Sequence, residues 1–190
     1  MAEGLLALAA ARNGHFLLES GHHGALWLDL DRLFARPGLL QPFITALAEQ
    51  IAPYQPDAIC GPLVGGAFVA QVVATILNVE FCYSQRLAPA GQAIRYFVPP
   101  SVGGRLAGKR LALVDDAINA GSAVRGTWAA LQSYGATLAV VGALLLLGQT
   151  APALFQPTPV LTVAHLPQNE IWTPAGCPLC AANLPLEKQL

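Results

Sequence analysis

Residues 111–123, Leu-Ala-Leu-Val-Asp-Asp-Ala-Ile-Asn-Ala-Gly-Ser-Ala, constrain the fold more than any other stretch of this chain. Leu111 to Val114 form an unbroken apolar run, the pattern of a strand buried on both faces of a parallel sheet. Asp115 and Asp116 follow at once, then a short turn with Gly121 and Ser122, then an apolar segment of helical character from Ala123 to Leu131. A strand that ends in two carboxylates and turns into a helix sets hydrogen-bond acceptors beside the free N–H groups of a helix start. Carboxylates accept from sugar hydroxyls, and N–H groups at a helix N-terminus bind phosphate. A sugar phosphate satisfies both halves.

The flanking sequence repeats the strand-then-helix order. Ala58 to Cys60 suits a short strand, Gly61 to Gly66 a glycine-bearing loop, Ala67 to Leu77 a helix and Glu80 to Ser84 a further strand. A connection rich in Pro and Gly, Gln85 to Gly108, then leads to the strand at Leu111, and a connection of that length in one domain is usually functional. Strands are expected again at Thr137–Leu147 and Val160–Ala164. Alternating strands and helices specify an α/β fold with a central parallel sheet flanked by helices and right-handed crossovers. Ligands in such folds sit beyond the carboxyl ends of the strands, where the Asp pair falls. Ahead of this core, residues 1–12 suit a helix, and His15–Glu19 and Ala25–Asp31 suit extended segments around a turn at Gly21–Gly24. Asp29 and Asp31 then fall on the polar face of an edge strand. Leu39, Leu40, Phe43, Ile44, Leu47, Ala48 and Ile51 share one helical face, with Pro42 in the first turn. One domain is expected over residues 1–190, with an N-terminal helix and hood at 1–35, a core at 36–165 and a tail at 166–190.

The 111–123 stretch resembles the phosphoribosyl-diphosphate (PRPP) signature of the type I phosphoribosyltransferases. The resemblance implies that Asp115 and Asp116 hold the ribose hydroxyls. It implies that Asn119, Ala120, Gly121, Ser122 and Ala123 wrap the 5′-phosphate, and that Gly61, Pro62, Leu63, Val64, Gly65 and Gly66 form the pyrophosphate loop. A small N-terminal hood is implied by Gly14, Phe16, Leu18, Ser20 and Gly21, which fit the hood pattern of orotate phosphoribosyltransferases. The ending Trp172 to Cys180 is similar to the tail of some members of that group. Transfer of phosphoribose from PRPP to a nucleobase, with release of pyrophosphate, is therefore the expected reaction, with orotate the base by overall resemblance. Mg²⁺, bound through PRPP rather than by a firm protein ligand, is the expected cofactor. Arg86 and Arg95 are the expected catalytic cations of a lid at 85–108, since Arg pairs well with phosphate.

The base-contacting positions depart from the orotate pattern. Glu19 stands where those enzymes carry a lysine, and Leu146-Leu-Gly-Gln149 lacks the Asp-Arg pair that binds the orotate carboxylate. The lid segment is poor in lysine, since the chain's lysines are Lys109 and Lys188. Salvage of a purine or another base, or a non-catalytic PRPP-binding regulator, are the alternatives left open, and little or no orotate turnover is expected.

Composition adds limits. The chain of 190 residues is 54% hydrophobic and 11% charged with net charge −1, enough apolar material for a large core and for burial in a homodimer. No basic run offers a footprint for nucleic acid, no apolar run is long enough for a membrane span, and the N-terminus lacks the basic start of a signal peptide. A cytoplasmic, reducing setting is expected for the four cysteines. Cys177 and Cys180 have the spacing of half a tetrahedral zinc site. His165, Cys60, Cys82 or a symmetry mate are the candidates to complete it. His22 and His23 are expected at the surface of the hood turn, with a place facing the substrate as the alternative for either. The tail is expected to be held without metal, by packing of Trp172 and Leu179.

Overall fold

A computed structural model describes residues 1–18, 21–88, 94–167 and 170–188, with Thr150 and Ala151 described by backbone alone. In chain order the elements are α1 (Ala2–Leu8), β1 (Arg12–Leu17), β2 (His23–Trp27), α2 (Pro37–Ile51), β3 (Ala58–Pro62), α3 (Gly65–Leu77), β4 (Glu80–Leu87), β5 (Arg95–Phe97) and α4 (Pro100–Gly103). They continue as β6 (Arg110–Ile118), α5 (Ser122–Gln132), β7 (Thr137–Leu147), α6 (Thr150–Leu154), β8 (Val160–Leu166), β9 (Ile171–Trp172), α7 (Pro178–Ala181) and β10 (Glu187–Lys188).

The main sheet has the order β5-β4-β3-β6-β7-β8. Every pairing in it is parallel except β4 with β5. The apolar run at β6 is buried because both faces are covered. Ala112 and Val114 pack with α2 and α3 residues such as Leu47 and Val73, whereas Leu111 and Leu113 pack with Val124 and Leu131 of α5. From β3 the chain moves one way, through α3 to β4. From β6 it moves the other way, through α5 to β7. The strand order therefore reverses between β3 and β6, and their carboxyl ends lie side by side at the switch point where ligands bind in such sheets.

A second, smaller sheet forms the hood, in the order β10-β1-β2-β9. The expected division into an N-terminal hood and a separate tail is thus replaced by one sheet made from both chain ends. β10 pairs with β1 and β9 pairs with β2. The first helix belongs to the core instead, through buried Leu5 and through Ala9 just after it.

Several boundaries differ from expectation. The N-terminal helix stops at Leu8, and Arg12 already begins β1. The second extended segment ends at Trp27, and Leu30–Phe34 is a 3-10 turn, so Asp29 and Asp31 do not line the face of a strand. α2 starts at Pro37, which puts Pro42 in its second turn, and Leu39 is exposed. An interior proline costs about 3 kcal/mol, but Leu40, Ile44, Leu47 and Ile51 are buried at about 1.5–3 kcal/mol each, so packing wins. The 85–108 connection is not a bare loop, since it holds the end of β4 together with β5 and α4. Glu19, Ser20 and Pro89 to Ala93, named or spanned by the sequence expectations, lie outside the described residues. Among the described residues no helix is long and apolar enough to cross a membrane.

Candidate active site

A cleft of about 480 Å³ opens at the switch point. Its floor is Asp115 and Asp116, which sit on β6 itself rather than after it, and its walls include Pro62 to Gly66 and Ala123. The glycines are what let the loop meet the acids. A Cβ on Gly65 would fall on the Asp116 carboxylate, and one on Gly66 would come within 2.5 Å of Asp115 Oδ1. The pyrophosphate-loop stretch is mostly regular structure: Gly61 and Pro62 end β3, Gly65 and Gly66 begin α3, and only Leu63 and Val64 lie between.

Two helices begin at this cleft. α3 starts at Gly65 and α5 at Ser122, and neither has a side-chain cap. The N-terminal N–H groups of a helix have no partner within it, and each helix start carries roughly half a positive charge. Gly121, with φ +70°, makes the left-handed turn that aims α5 this way. Of residues 119–123, Ala123 lines the cleft, while Ser122 faces a neighbouring cavity with Arg125 and Trp128.

The acids are under electrostatic pressure. Burial pushes the Asp115 carboxyl well above the usual carboxylate range, and the Asp116 charge pushes it further. Burial also raises Asp116, against relief from its hydrogen bond with Asp115 and from the Ala117 N–H, which donates to it at 2.9 Å. Asp31 adds to that rise by its charge. Asp29 and Asp31 complete the rim, so four carboxylates and no basic side chain line the cleft among the described residues. The sequence reading missed this pair. Leu26, Leu28 and Leu30 alternate with polar neighbours like a strand, but the chain turns at Leu28 and swings both acids inward.

Arg86 and Arg95 are parted by the strand pleat. Arg86 lies opposite Tyr96 in the β4–β5 ladder, and Arg95 lies opposite Leu87. Opposed side chains share a face and successive ones alternate, so Arg86 and Tyr96 point one way and Arg95 the other. The Tyr96 face is the site face. Its ring covers Gly126 of α5, where a Cβ would strike it. Burial raises the Tyr96 hydroxyl above its usual range, Arg86 opposes that with its charge and a hydrogen bond, and the Asp115 charge adds to it.

Comparison with known proteins places this geometry. Residues 31–179 match the model of the phosphoribosyl transferase domain. The chain is 29% identical over 180 residues to the orotate phosphoribosyltransferase of Thermotoga maritima, covering 94% of this chain and 91% of that one. Its fold resembles the crystal structure of orotate phosphoribosyltransferase from Aeropyrum pernix, with TM-score 0.69, 23% identity and coverage of 86% of this chain and 92% of that one. It also resembles adenine phosphoribosyltransferase from Thermoanaerobacter pseudethanolicus, with TM-score 0.62, 16% identity and coverage of 74% and 88%.

Proposed function

The chain belongs to the phosphoribosyl transferase domain family, and from that membership we propose that it transfers a phosphoribosyl group from PRPP to an uncharged nucleobase, releasing pyrophosphate. The observation that carries this reading is the convergence of two uncapped helix starts on one buried Asp pair. Two anionic groups on one ribose need two separate positive ends, with hydroxyl acceptors between them. The 5′-phosphate suits the start of α5 and the pyrophosphate suits Leu63 to Gly66. Asp115 and Asp116 accept from the ribose hydroxyls and fix the ring while positive charge develops at its anomeric carbon. A fixed ring and pre-aimed dipoles are what such a transition state requires. Arg86, held by Tyr96 on the site face, is the candidate to meet the leaving pyrophosphate.

Mg²⁺ fits the chemistry of the cleft. Its preferred ligands are oxygens, and the protein oxygens available are those of Asp115 and Asp116 beside the substrate's own. When bound it supplies the positive charge that a cleft lined by four carboxylates lacks.

The same charge argues about the base. Orotate carries a carboxylate, and four acids with no lining cation among the described residues disfavour it. Its relatives named for orotate, at 29% identity, support the orotate-type reading by overall resemblance, whereas the lining supports an uncharged acceptor. Homodimer formation is part of the proposal. The test is pyrophosphate release from PRPP and Mg²⁺ across a panel of bases. Turnover with a neutral base ahead of orotate is expected. Orotate turnover at the ordinary enzymatic kcat of about 1–10³ s⁻¹ would refute the charge argument. PRPP binding with no turnover of any base would replace the transferase by a PRPP-binding regulator.

A further inference from the structure

Outside the residues that line the cleft, the hood and the tail bring four metal-ligating side chains to one point. His15 comes from β1, His23 from β2, and Cys177 and Cys180 from the segment between β9 and β10. Their ligand atoms all lie within 4.8 Å of one another. His15 Nε2 is 3.0 Å from His23 Nδ1, 3.4 Å from Cys177 Sγ and 3.7 Å from Cys180 Sγ, and Cys180 Sγ is 3.2 Å from His23 Nδ1. A tetrahedron with Zn–N near 2.0–2.1 Å and Zn–S near 2.3 Å has edges of about 3.3–3.8 Å. Four of the six edges, at 3.0–3.7 Å, are close to those values, and the other two are at most 4.8 Å.

The surroundings orient the ligands. His15 Nδ1 sits 2.9 Å from the Leu184 carbonyl oxygen. A carbonyl only accepts, so Nδ1 carries the hydrogen and Nε2 turns its lone pair to the cluster. Such an outer hydrogen bond is the usual support of a metal-bound histidine. Both rings are buried, at 3% and 5% exposure. A register shift between Asn13 and Phe16 breaks the strand alternation, so that His15 and Phe16 are buried in succession. The bulge is a device for re-aiming a side chain. The 3-10 turn Pro174–Gly176 and the start of α7 at Pro178 then fold the Cys-x-x-Cys back so that both sulfurs face the imidazoles.

We propose that His15, His23, Cys177 and Cys180 form a structural Zn²⁺ site that fastens the C-terminal tail to the N-terminal hood. Two nitrogens and two sulfurs at tetrahedral spacing suit zinc over harder cations. All four positions are filled by protein, so the site is closed and structural rather than catalytic. Expectation is corrected on two points. His23 is buried and not a surface residue. Cys60 and Cys82 are partners in the β3–β4 ladder, and His165 contacts the Gly148 carbonyl at 2.7 Å, so none of them completes the set. Trp172 and Leu179, expected to hold the tail, are half-buried, and among the described tail residues Cys177 is the buried one.

The test is metal content of the full chain, purified under reducing conditions without chelator and then reconstituted with zinc or cobalt. One zinc per chain is expected, and cobalt should give the visible bands of a tetrahedral thiolate complex. Cys177→Ser should weaken zinc binding by more than the roughly 10–100-fold that losing an outer-shell partner costs, while Cys60→Ala with Cys82→Ala should leave the stoichiometry unchanged. Should the serine variant not fold, chelation of the wild type decides. Zinc withdrawal should expose the tail beyond Trp172 to protease while the core stays resistant. A reconstituted wild type with no zinc, or zinc retained by a Cys177→Ser, Cys180→Ser chain, would overturn the site.

Discussion

The chemistry of this chain is concentrated in Asp115, and so is a stability cost. Burial, ahead of the neighbouring Asp116 charge, holds its carboxyl well above the usual carboxylate range. The folded state therefore holds that proton more tightly than the unfolded chain does. Where the native state binds more protons, stability falls as pH rises. The ligand-free protein should thus lose stability from pH near 4 upward, through the raised Asp115 value, and a thermal melt series over that range checks it. Asp115→Asn removes the buried charge and should raise the neutral-pH melting temperature by about 2–4 °C, the shift that about 1 kcal/mol gives a chain of this size. The same variant combined with Asp116→Asn should lose PRPP affinity by calorimetry, and unchanged affinity would dismiss these residues as the ribose site. Gly65→Ala is a separate probe, because its methyl must displace the Asp116 carboxylate. It should cut kcat/KM by an order of magnitude or more while leaving the fold, and a wild-type rate would show that the loop does not need its close approach. The acid pair was legible in the sequence because a strand, two acids, a glycine turn and a helix occur in unbroken order. Asp29 and Asp31 were not, since alternation over seven residues fits a strand as well as a turn. What decides between them is the hydrogen bond from the Asp29 N–H to the Ala9 carbonyl, a long-range contact with no local signal.

At the scale of elements, the β4–β5 ribbon gives the two arginines different fates. A sequence shows two cations near a lid, but only the pleat says which one faces the substrate. The three residues of β5 are too few to announce a strand, which is why the 85–108 connection looked like a loop. Arg86 is opposed to Tyr96 and shares its face, and Tyr96 lies over α5 beside the acid pair. Arg86→Ala should lower kcat/KM by about 10–100-fold, the loss of a charge-assisted hydrogen bond of about 1.5–3 kcal/mol. Arg95→Ala, on the other face, should change it by less than about threefold, the scale of an exposed charge at under 1 kcal/mol. Steady-state kinetics on the two variants check the ordering, and equal losses would mean that the ribbon does not select between its faces.

Taken as a whole, the molecule is closed by contacts that no local pattern encodes. The hood sheet pairs Phe16 with Glu187 and His23 with Trp172. The core was readable because each βα unit is local, whereas this sheet joins opposite ends of the chain. The remaining whole-molecule feature is an apolar row along α3 and the residue before it. Val64, Phe68, Val72 and Ile76 recur every four residues, which places them along one side of a helix, and Val64, Phe68 and Ile76 are 59%, 47% and 39% exposed. Leu63, beside the row, is exposed as well. An apolar row of this kind on a chain with 54% hydrophobic residues suits a self-complementary contact between two copies. Leu63 and Val64 also line the substrate cleft, so a partner seated on this row stands at the cleft's mouth and stiffens the loop that meets pyrophosphate. Light scattering at micromolar concentration should find a dimer. Phe68→Glu places a charge in the middle of the row, where it has no partner once buried, and should yield a folded monomer with a weakened affinity for PRPP. A wild-type monomer with full activity would remove the dimer from the proposal, and a monomeric Phe68→Glu chain with unchanged PRPP affinity would separate assembly from the site.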